Sequence, residues 1–275
     1  MNKISIIGAS GFIGRNLCEY LFKINEDFCG YSRSISDARL NITKLNQYFE
    51  VPQSEFLIYL AEESQVSIAE SCGESYIENS LRALKEIHNS SKSTIIYISS
   101  ALVYGKDGIK PFKISEPLSL GSIYTKSKAV CEKYVIEHGG SVARLTNVYG
   151  KGMSASNVFS DILRQIHSKE VVTLQNLFPI RDYVSVKDVV KCLHLICIKD
   201  LNRIFNVGSG RPLSVKELAE IIMKENSISN PQIQQTDMVN DCSQLLVDIQ
   251  ETIAYLDWLP EVDLGLESKA LKSNL

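Results

Sequence analysis

Tyr124 and Lys128 stand four residues apart at the start of a segment with helical patterning, so their side chains share one face. A free phenol ionises near pH 10, and an ammonium beside it brings that ionisation within useful reach. The pair therefore suits proton exchange with a carbonyl or alcohol oxygen. Upstream, Ile95-Ile96-Tyr97-Ile98-Ser99-Ser100 reads as a strand ending in two hydroxyls, and these supply a hydrogen-bond partner for the same oxygen. Spacing alone is weak, because the chain has 12 tyrosines and contains a second Tyr-x-x-x-Lys, Tyr183 to Lys187. Position separates the two: Tyr183-Val184-Ser185-Val186 alternates as a strand does, whereas Tyr124 opens a helix.

A second chemistry-bearing segment is Gly8-Ala9-Ser10-Gly11-Phe12-Ile13-Gly14, directly after the apolar run Lys3 to Ile7 and opening the next helix. Glycine is needed where such a turn is tight and where backbone must approach a pyrophosphate, and the helix N-terminus beyond it offers free N–H groups. The placement points to a dinucleotide. At the end of the second strand, where a carboxylate would hold the ribose hydroxyls of NAD, the chain reads Tyr31-Ser32-Arg33-Ser34. Arg33 with Ser32 beside it suits a 2′-phosphate through charge-assisted bonds, which favours NADP over NAD; a solvated surface arginine is the plain alternative.

The elements that must position these residues follow from patterning. Short β-branched runs alternate with helical ones: Lys3 to Ile7 then Phe12 to Lys23, Phe28 to Tyr31 then Thr43 to Phe49, Phe56 to Leu60 then Tyr76 to Asn89, Thr94 to Ile98 then Tyr124 to His138, and Ser141 to Leu145. This predicts βαβ units, and so an α/β chain with a Rossmann-type doubly wound parallel sheet. After Gly150 the alternation is irregular, with helices expected at Asn157 to His167 and Val215 to Lys224 (Ser214 as N-cap) and strands near Val171 to Leu174 and Arg203 to Val207. The expected division is a dinucleotide-binding part over 1–150 and a smaller α/β substrate-binding lobe over 151–275, interleaved around one core. Gly105 to Glu116 and Lys224 to Gln244 lack periodicity and read as loops.

The 275 residues, 44% hydrophobic and 22% charged, suffice for a sizeable core. A net charge of −3 without a basic run excludes the electrostatic footprint of a nucleic-acid or membrane-surface binder, leaving a small-molecule partner. Seven scattered cysteines without Cys-x-x-Cys read as buried thiols of a cytoplasmic protein, and the four histidines lack ligand spacing, so no metal is expected.

Gly8-x-x-Gly11-x-x-Gly14, Ser99-Ser100-Ala-Leu-Val-Tyr104-Gly105, Tyr124-x-x-x-Lys128, Arg144-x-x-Asn147-Val-Tyr149-Gly150, Arg181-Asp182-Tyr-Val-Ser-Val-Lys-Asp188 and Phe205-Asn206-Val-Gly208-Ser-Gly210 occur in this order over nearly the whole chain. Together they resemble the extended short-chain dehydrogenase/reductases of the NAD-dependent epimerase/dehydratase type, which act on nucleotide sugars. The resemblance implies Tyr124 as acid/base, Lys128 on the nicotinamide ribose and Ser100, with Ser99 the lesser candidate, on the reacting sugar oxygen. It further implies Gly8, Ser10, Gly11, Phe12, Ile13, Gly14, Ser32, Arg33, Asn41, Leu60 and Ala61 at the cofactor, Asn147 and Arg181 at the substrate diphosphate, and a homodimer through the helices at Tyr76 to Asn89 and Tyr124 to His138. Arg144 and Asp188 read equally well as structural, a buried ion pair and a helix cap.

Departures narrow the reaction. Asn41 replaces an acidic residue at adenine, Gly150-Lys151-Gly152 replaces Gly-Pro-Gly, no second diphosphate arginine stands near Gln234 to Asp237, and Glu62-Glu63 follow Leu60-Ala61 where small residues are usual, facing either the sugar or solvent. Ala101-Leu102 after Ser100 lack the acidic pair of a 4,6-dehydratase and the extra acid/base of a 3,5-epimerase. The expectation is an NADP-dependent reductase of an NDP-4-keto-6-deoxy sugar. An NDP-sugar 4-epimerase with retained NAD is the alternative, and a non-catalytic dinucleotide sensor, which would have lost Tyr124 or Lys128, is a minor one.

Overall fold

Ile-Ser-Ile-Ile forms β1 (Ile4–Ile7), buried at every residue as in a strand covered on both faces. The chain, described here by a computed structural model over residues 3–47, 50–168, 171–228, 232–238 and 241–272, then turns through Gly8 into α1 (Phe12–Lys23). One face of α1 buries Gly14, Leu17, Cys18 and Leu21, and each such leucine contributes about 1.5–3 kcal/mol over an exposed one. Next come β2 (Phe28–Ser32), β3 (Ile42–Lys44), β4 (Phe56–Tyr59), α2 (Val66–Cys72), α3 (Glu74–Ser91), β5 (Thr94–Ser100), α4 (Ile123–Glu137) and β6 (Ser141–Leu145). The C-terminal half supplies β7 (Asn147–Tyr149), α5 (Val158–Ser168), β8 (Val171–Leu174), β9 (Ile180–Ser185), α6 (Val186–Lys199), β10 (Ile204–Val207), β11 (Pro212–Ser214), α7 (Val215–Glu225), β12 (Gln232–Gln235), β13 (Gln244–Leu245), α8 (Gln250–Leu256) and α9 (Leu264–Lys272).

Seven strands make one parallel sheet in the order β10-β6-β5-β4-β1-β2-β3. Because β1 pairs with both β2 and β4, the chain winds outward first on one side of β1 and then on the other. A crevice must open at the carboxyl ends of β1 and β4, where the connecting loops part in opposite directions. One face of the sheet packs on α1 and α6 through Leu17, Val189 and Leu193, the other on α3 and α4 through Leu84, Ile87 and Val135. A separate core gathers α5, α7, β8 and β9 around Phe159, Ile162, Leu218 and Tyr183.

One predicted element differs. Instead of a helix from Thr43, Ile42–Lys44 is the edge strand β3, pairing with Gly30 to Ser32; residues 48 and 49 lie outside the described residues. The β-branched Ile42-Thr43 favours extension, and Asn41 takes the left-handed φ of +51° that reverses the chain before it. Within the stretch read as loop, Gln232–Gln235 pairs with β8 as β12.

Candidate active site

The crevice holds a cavity of about 400 Å³ lined by Gly8, Gly11, Phe12, Ile13 and Gly14 on one side and Ser100, Tyr124 and Lys128 on the other. Gly8 sits at φ +90°, and a Cβ there would come 2.7 Å from the Leu60 carbonyl carbon; a Cβ on Gly14 would overlap the Gly8 carbonyl oxygen. Gly8 lets the loop pass against the end of β4, and Gly14 lets α1 pack directly onto the loop. Gly11 caps α1 with no side-chain hydrogen bond, so the first N–H groups and the positive end of the helix stay available to a phosphate. At the β2 side Ser32 Oγ donates to Ser10 Oγ at 2.8 Å and lies 3.0 Å from Ser34 Oγ, a cluster of hydroxyls beside the exposed Arg33. The nearby carboxylate, Asp37, is held by Arg15 and Arg39, both at 3.3 Å.

At the other end, Ser100 closes β5 and its Oγ accepts from the Leu102 N–H at 3.2 Å, which leaves its proton to donate into the cavity. Tyr124 begins α4, capped by Ser122, and Lys128 follows one turn later with its Nζ 5.6 Å from the Tyr124 ring centre. The phenol oxygen of Tyr124 makes no hydrogen bond among the described residues. Lys128 donates to the Ile98 carbonyl at 2.9 Å and to Glu62 Oε2. Glu62 also accepts from the Tyr97 hydroxyl at 2.6 Å. Burial alone would push the Lys128 ammonium down, but the Glu62 carboxylate outweighs it and holds the ammonium above its ordinary range. Burial, then the Glu62 charge, also raises the Tyr97 phenol. Glu62, read from sequence as facing sugar or solvent, is thus an ion-pair partner of Lys128 with only 8% of its side chain exposed. Its partner lies 66 residues away, so nothing local signalled the role.

Ser99 is taken out of contention by its neighbours. Its hydroxyl donates to Glu132 Oε1 at 2.5 Å, and Glu132 forms a buried ion pair with Arg144 at 2.6 Å. Arg144 donates onward to the Tyr104 hydroxyl at 2.7 Å, which donates to Asn206 Oδ1 at 2.8 Å. Arg144 is therefore structural, as is Asp188, though not as the expected helix cap: Ser185 caps α6, while the Asp188 carboxylate accepts from the Val262 N–H at 3.0 Å and docks the C-terminal segment on α6.

A family model, the NAD dependent epimerase/dehydratase family, matches residues 4–208. The chain belongs to this family. A putative UDP-glucose 4-epimerase of Methanocaldococcus jannaschii is 25% identical, over 95% of this chain and 94% of its own. The dTDP-4-dehydro-6-deoxyglucose reductase of Escherichia coli is 26% identical, over 99% and 97%. The solved structure of UDP-glucose 4-epimerase from Thermotoga maritima with UDP-glucose superposes with a TM-score of 0.85 at 21% identity, over 98% of this chain and 97% of that one.

As a member of the NAD-dependent epimerase/dehydratase family, the chain is an enzyme that works with a nicotinamide dinucleotide. The glycine loop, the uncapped α1 N-terminus and the Tyr124–Lys128 pair fit that group. Leu60 lines the cavity beside Glu62, with half-buried Ala61 between them. Asn41 does not line it, for its amide donates to the Phe28 carbonyl and stitches β2 to the turn before β3. Asn147 is exposed on β7, while its neighbours Thr146 and Val148 line the cavity. Arg181 spends its guanidinium on the Ile180 and Ser243 carbonyls at 2.8 and 2.7 Å and on Ser243 Oγ at 2.7 Å, and burial lowers its pKa. The competing pair is structural: Tyr183 lies in the second core and Lys187 bonds Glu267 at 2.5 Å. A second cavity of about 820 Å³ lies between α5 and β8, flanked by Asp161, Arg164, Gln175 and Asp237. Among the described residues there is no cluster of metal-binding side chains and no helix long and apolar enough to cross a membrane.

Proposed function

We propose that the enzyme is an NADP-dependent reductase of an NDP-4-keto-6-deoxy sugar. The observation that carries the reading is the end of β2, where Ser10, Ser32 and Ser34 cluster beside Arg33 and a nearby carboxylate, Asp37, is neutralised by two arginines. Those groups suit a 2′-phosphate, and net reduction draws on a 2′-phosphorylated, exchangeable cofactor. A bound nicotinamide supplies the hydride. Tyr124 gives its phenolic proton to the carbonyl oxygen as that oxygen gains charge, Ser100 donates a hydrogen bond to the same atom, and Lys128 holds its positive charge beside the resulting tyrosinate. Ala101 is buried and neither it nor Leu102 carries an acid or base, so the residues after Ser100 offer no proton relay for a neighbouring carbon. The cavity between α5 and β8 is where the nucleotide half of the substrate would lie, with Arg164 as its flanking cation; Asn147 and Arg181, expected at the diphosphate, do not line it. A homodimer through α3 and α4, in the cytoplasm, completes the reading.

The same three side chains serve a 4-epimerase, and the relative from Methanocaldococcus jannaschii is named for that reaction. Stoichiometry separates the two. With NADPH and an NDP-4-keto-6-deoxyhexose, one cofactor should be oxidised per sugar consumed. Interconversion of a 4-hydroxy NDP-hexose pair without added cofactor would replace the reductase with the epimerase. A second expected outcome concerns Arg33→Ala, which should weaken NADPH by about tenfold or more, the effect of losing a charge-assisted hydrogen bond, with little change for NADH. Equal losses for both cofactors in a fluorescence titration would remove the 2′-phosphate assignment.

A further inference from the structure

The carboxylate of Glu62 is asymmetric. Oε2 accepts from both Tyr97 and Lys128, whereas Oε1 is shut off from solvent and has no hydrogen-bond partner among the described residues. A carboxylate oxygen buried in this way is unfavourable unless something donates to it. Lys128 is unsaturated too: of its three N–H bonds, one goes to Glu62 and one to the Ile98 carbonyl, and the third has no hydrogen-bond acceptor among the described residues. Both side chains line the dinucleotide cavity, at the end bounded by Tyr124, and both are more than nine-tenths buried.

The pair therefore presents one acceptor and one donor side by side. A phosphate would use only the donor, since its oxygen cannot donate to Oε1, and a lone hydroxyl serves both only by standing between them. A vicinal diol uses both, one hydroxyl accepting from Nζ and the other donating to Oε1. We propose that Glu62 and Lys128 together bind the ribose diol on the nicotinamide side of the dinucleotide, with Glu62 a cofactor-binding residue as well as the group that positions Lys128. The proposal rests on the dinucleotide chemistry of the proposed function and adds a residue to it. Glu62 also neutralises the buried Lys128 ammonium, so the same carboxylate ties the fold to the binding step.

The test is binding rather than turnover. NADPH carries the nicotinamide-side diol; adenosine 2′,5′-bisphosphate is the other half of the same molecule and lacks it. In Glu62→Gln, NADPH affinity should fall about 10- to 100-fold, the range for losing a hydrogen bond to a charged group. Affinity for adenosine 2′,5′-bisphosphate should not change. Glu62→Asp, which keeps Lys128 neutralised but withdraws the carboxylate by one methylene, should show the same split, and it covers the case in which Glu62→Gln does not fold. Unchanged NADPH binding in a folded variant would overturn the proposal, as would equal loss of both ligands, which marks a purely structural residue. So would unchanged NADPH binding with weakened sugar-nucleotide binding, which would move the diol to the substrate. If the wild type binds neither NADPH nor NADH, the proposed function falls as well; if it binds one of them and the variants match it, only the role of Glu62 falls.

Discussion

Tyr124→Phe is expected to lower turnover roughly 10²- to 10⁴-fold, the usual contribution of a positioned general acid, while leaving dinucleotide affinity nearly intact. The phenol oxygen makes no hydrogen bond among the described residues, so its removal leaves no partner stranded, and the ring still packs against Ala69 and Tyr76. Lys128 is a different case. Sequence reasoning alone would expect Lys128→Ala to damage binding and turnover together. The structure adds that it would strand Glu62, a carboxylate with 8% of its side chain exposed, and removing one partner of such a pair costs about 3–5 kcal/mol. A loss of soluble protein in Lys128→Ala, rescued in part by Lys128→Met with Glu62→Gln, should accompany the loss of binding. Steady-state kinetics beside a cofactor titration check the tyrosine. Should Tyr183→Phe abolish turnover in a folded protein while Tyr124→Phe does not, the catalytic role of Tyr124 is wrong.

The contrast between the two Tyr-x-x-x-Lys pairs shows which parts of the site were legible. Alternation around Tyr183 gave β9, and the helical run after Tyr124 gave α4, so local period alone sent one tyrosine to a core and the other to a cavity. The glycine loop was readable for the same reason, since its position between β1 and α1 is a matter of adjacent residues. Longer-range facts were not. The helix α6 carries Val189, Val190, Cys192, Leu193, Ile196 and Cys197 buried, nearly all round, because it is packed against both the sheet and α1; it has too little polar face to announce a helical period. Short β3 was misread because its strand character comes from pairing with β2, a contact that Ile42 and Thr43 alone do not declare. Glu62, Ser99 and Arg144 depend on partners 66, 33 and 12 residues away, and a single sequence shows the charges without showing which meet.

Breaking the Arg144–Glu132 pair is expected to be the most damaging change to stability outside the cavity. Both side chains are about 4% exposed or less, and the guanidinium meets the carboxylate three times, Nε to Oε1 at 3.0 Å and to Oε2 at 3.2 Å, and Nη2 to Oε2 at 2.6 Å. Arg144→Met should cost about 3–5 kcal/mol, because Glu132 would remain buried without its counter-charge. At roughly 2–4 °C per kcal/mol for a protein near this size, Tm should fall by roughly 6–20 °C. Arg144→Met with Glu132→Leu removes both charges and should recover most of that loss, since apolar replacement of a buried pair is often close to neutral. Turnover should not recover with it. Glu132 lies one helical turn beyond Lys128 on α4 and is the acceptor for Ser99, the neighbour of Ser100, so the carboxylate anchors the end of β5 against the helix that carries Tyr124. Without it Ser99 loses its acceptor, and Ser100 loses its fixed place against Tyr124. Thermal melts read the first effect and kcat of the folded double variant reads the second. A double variant with wild-type Tm and wild-type kcat would confine the network to stability and leave Ser100 positioned by its own turn alone.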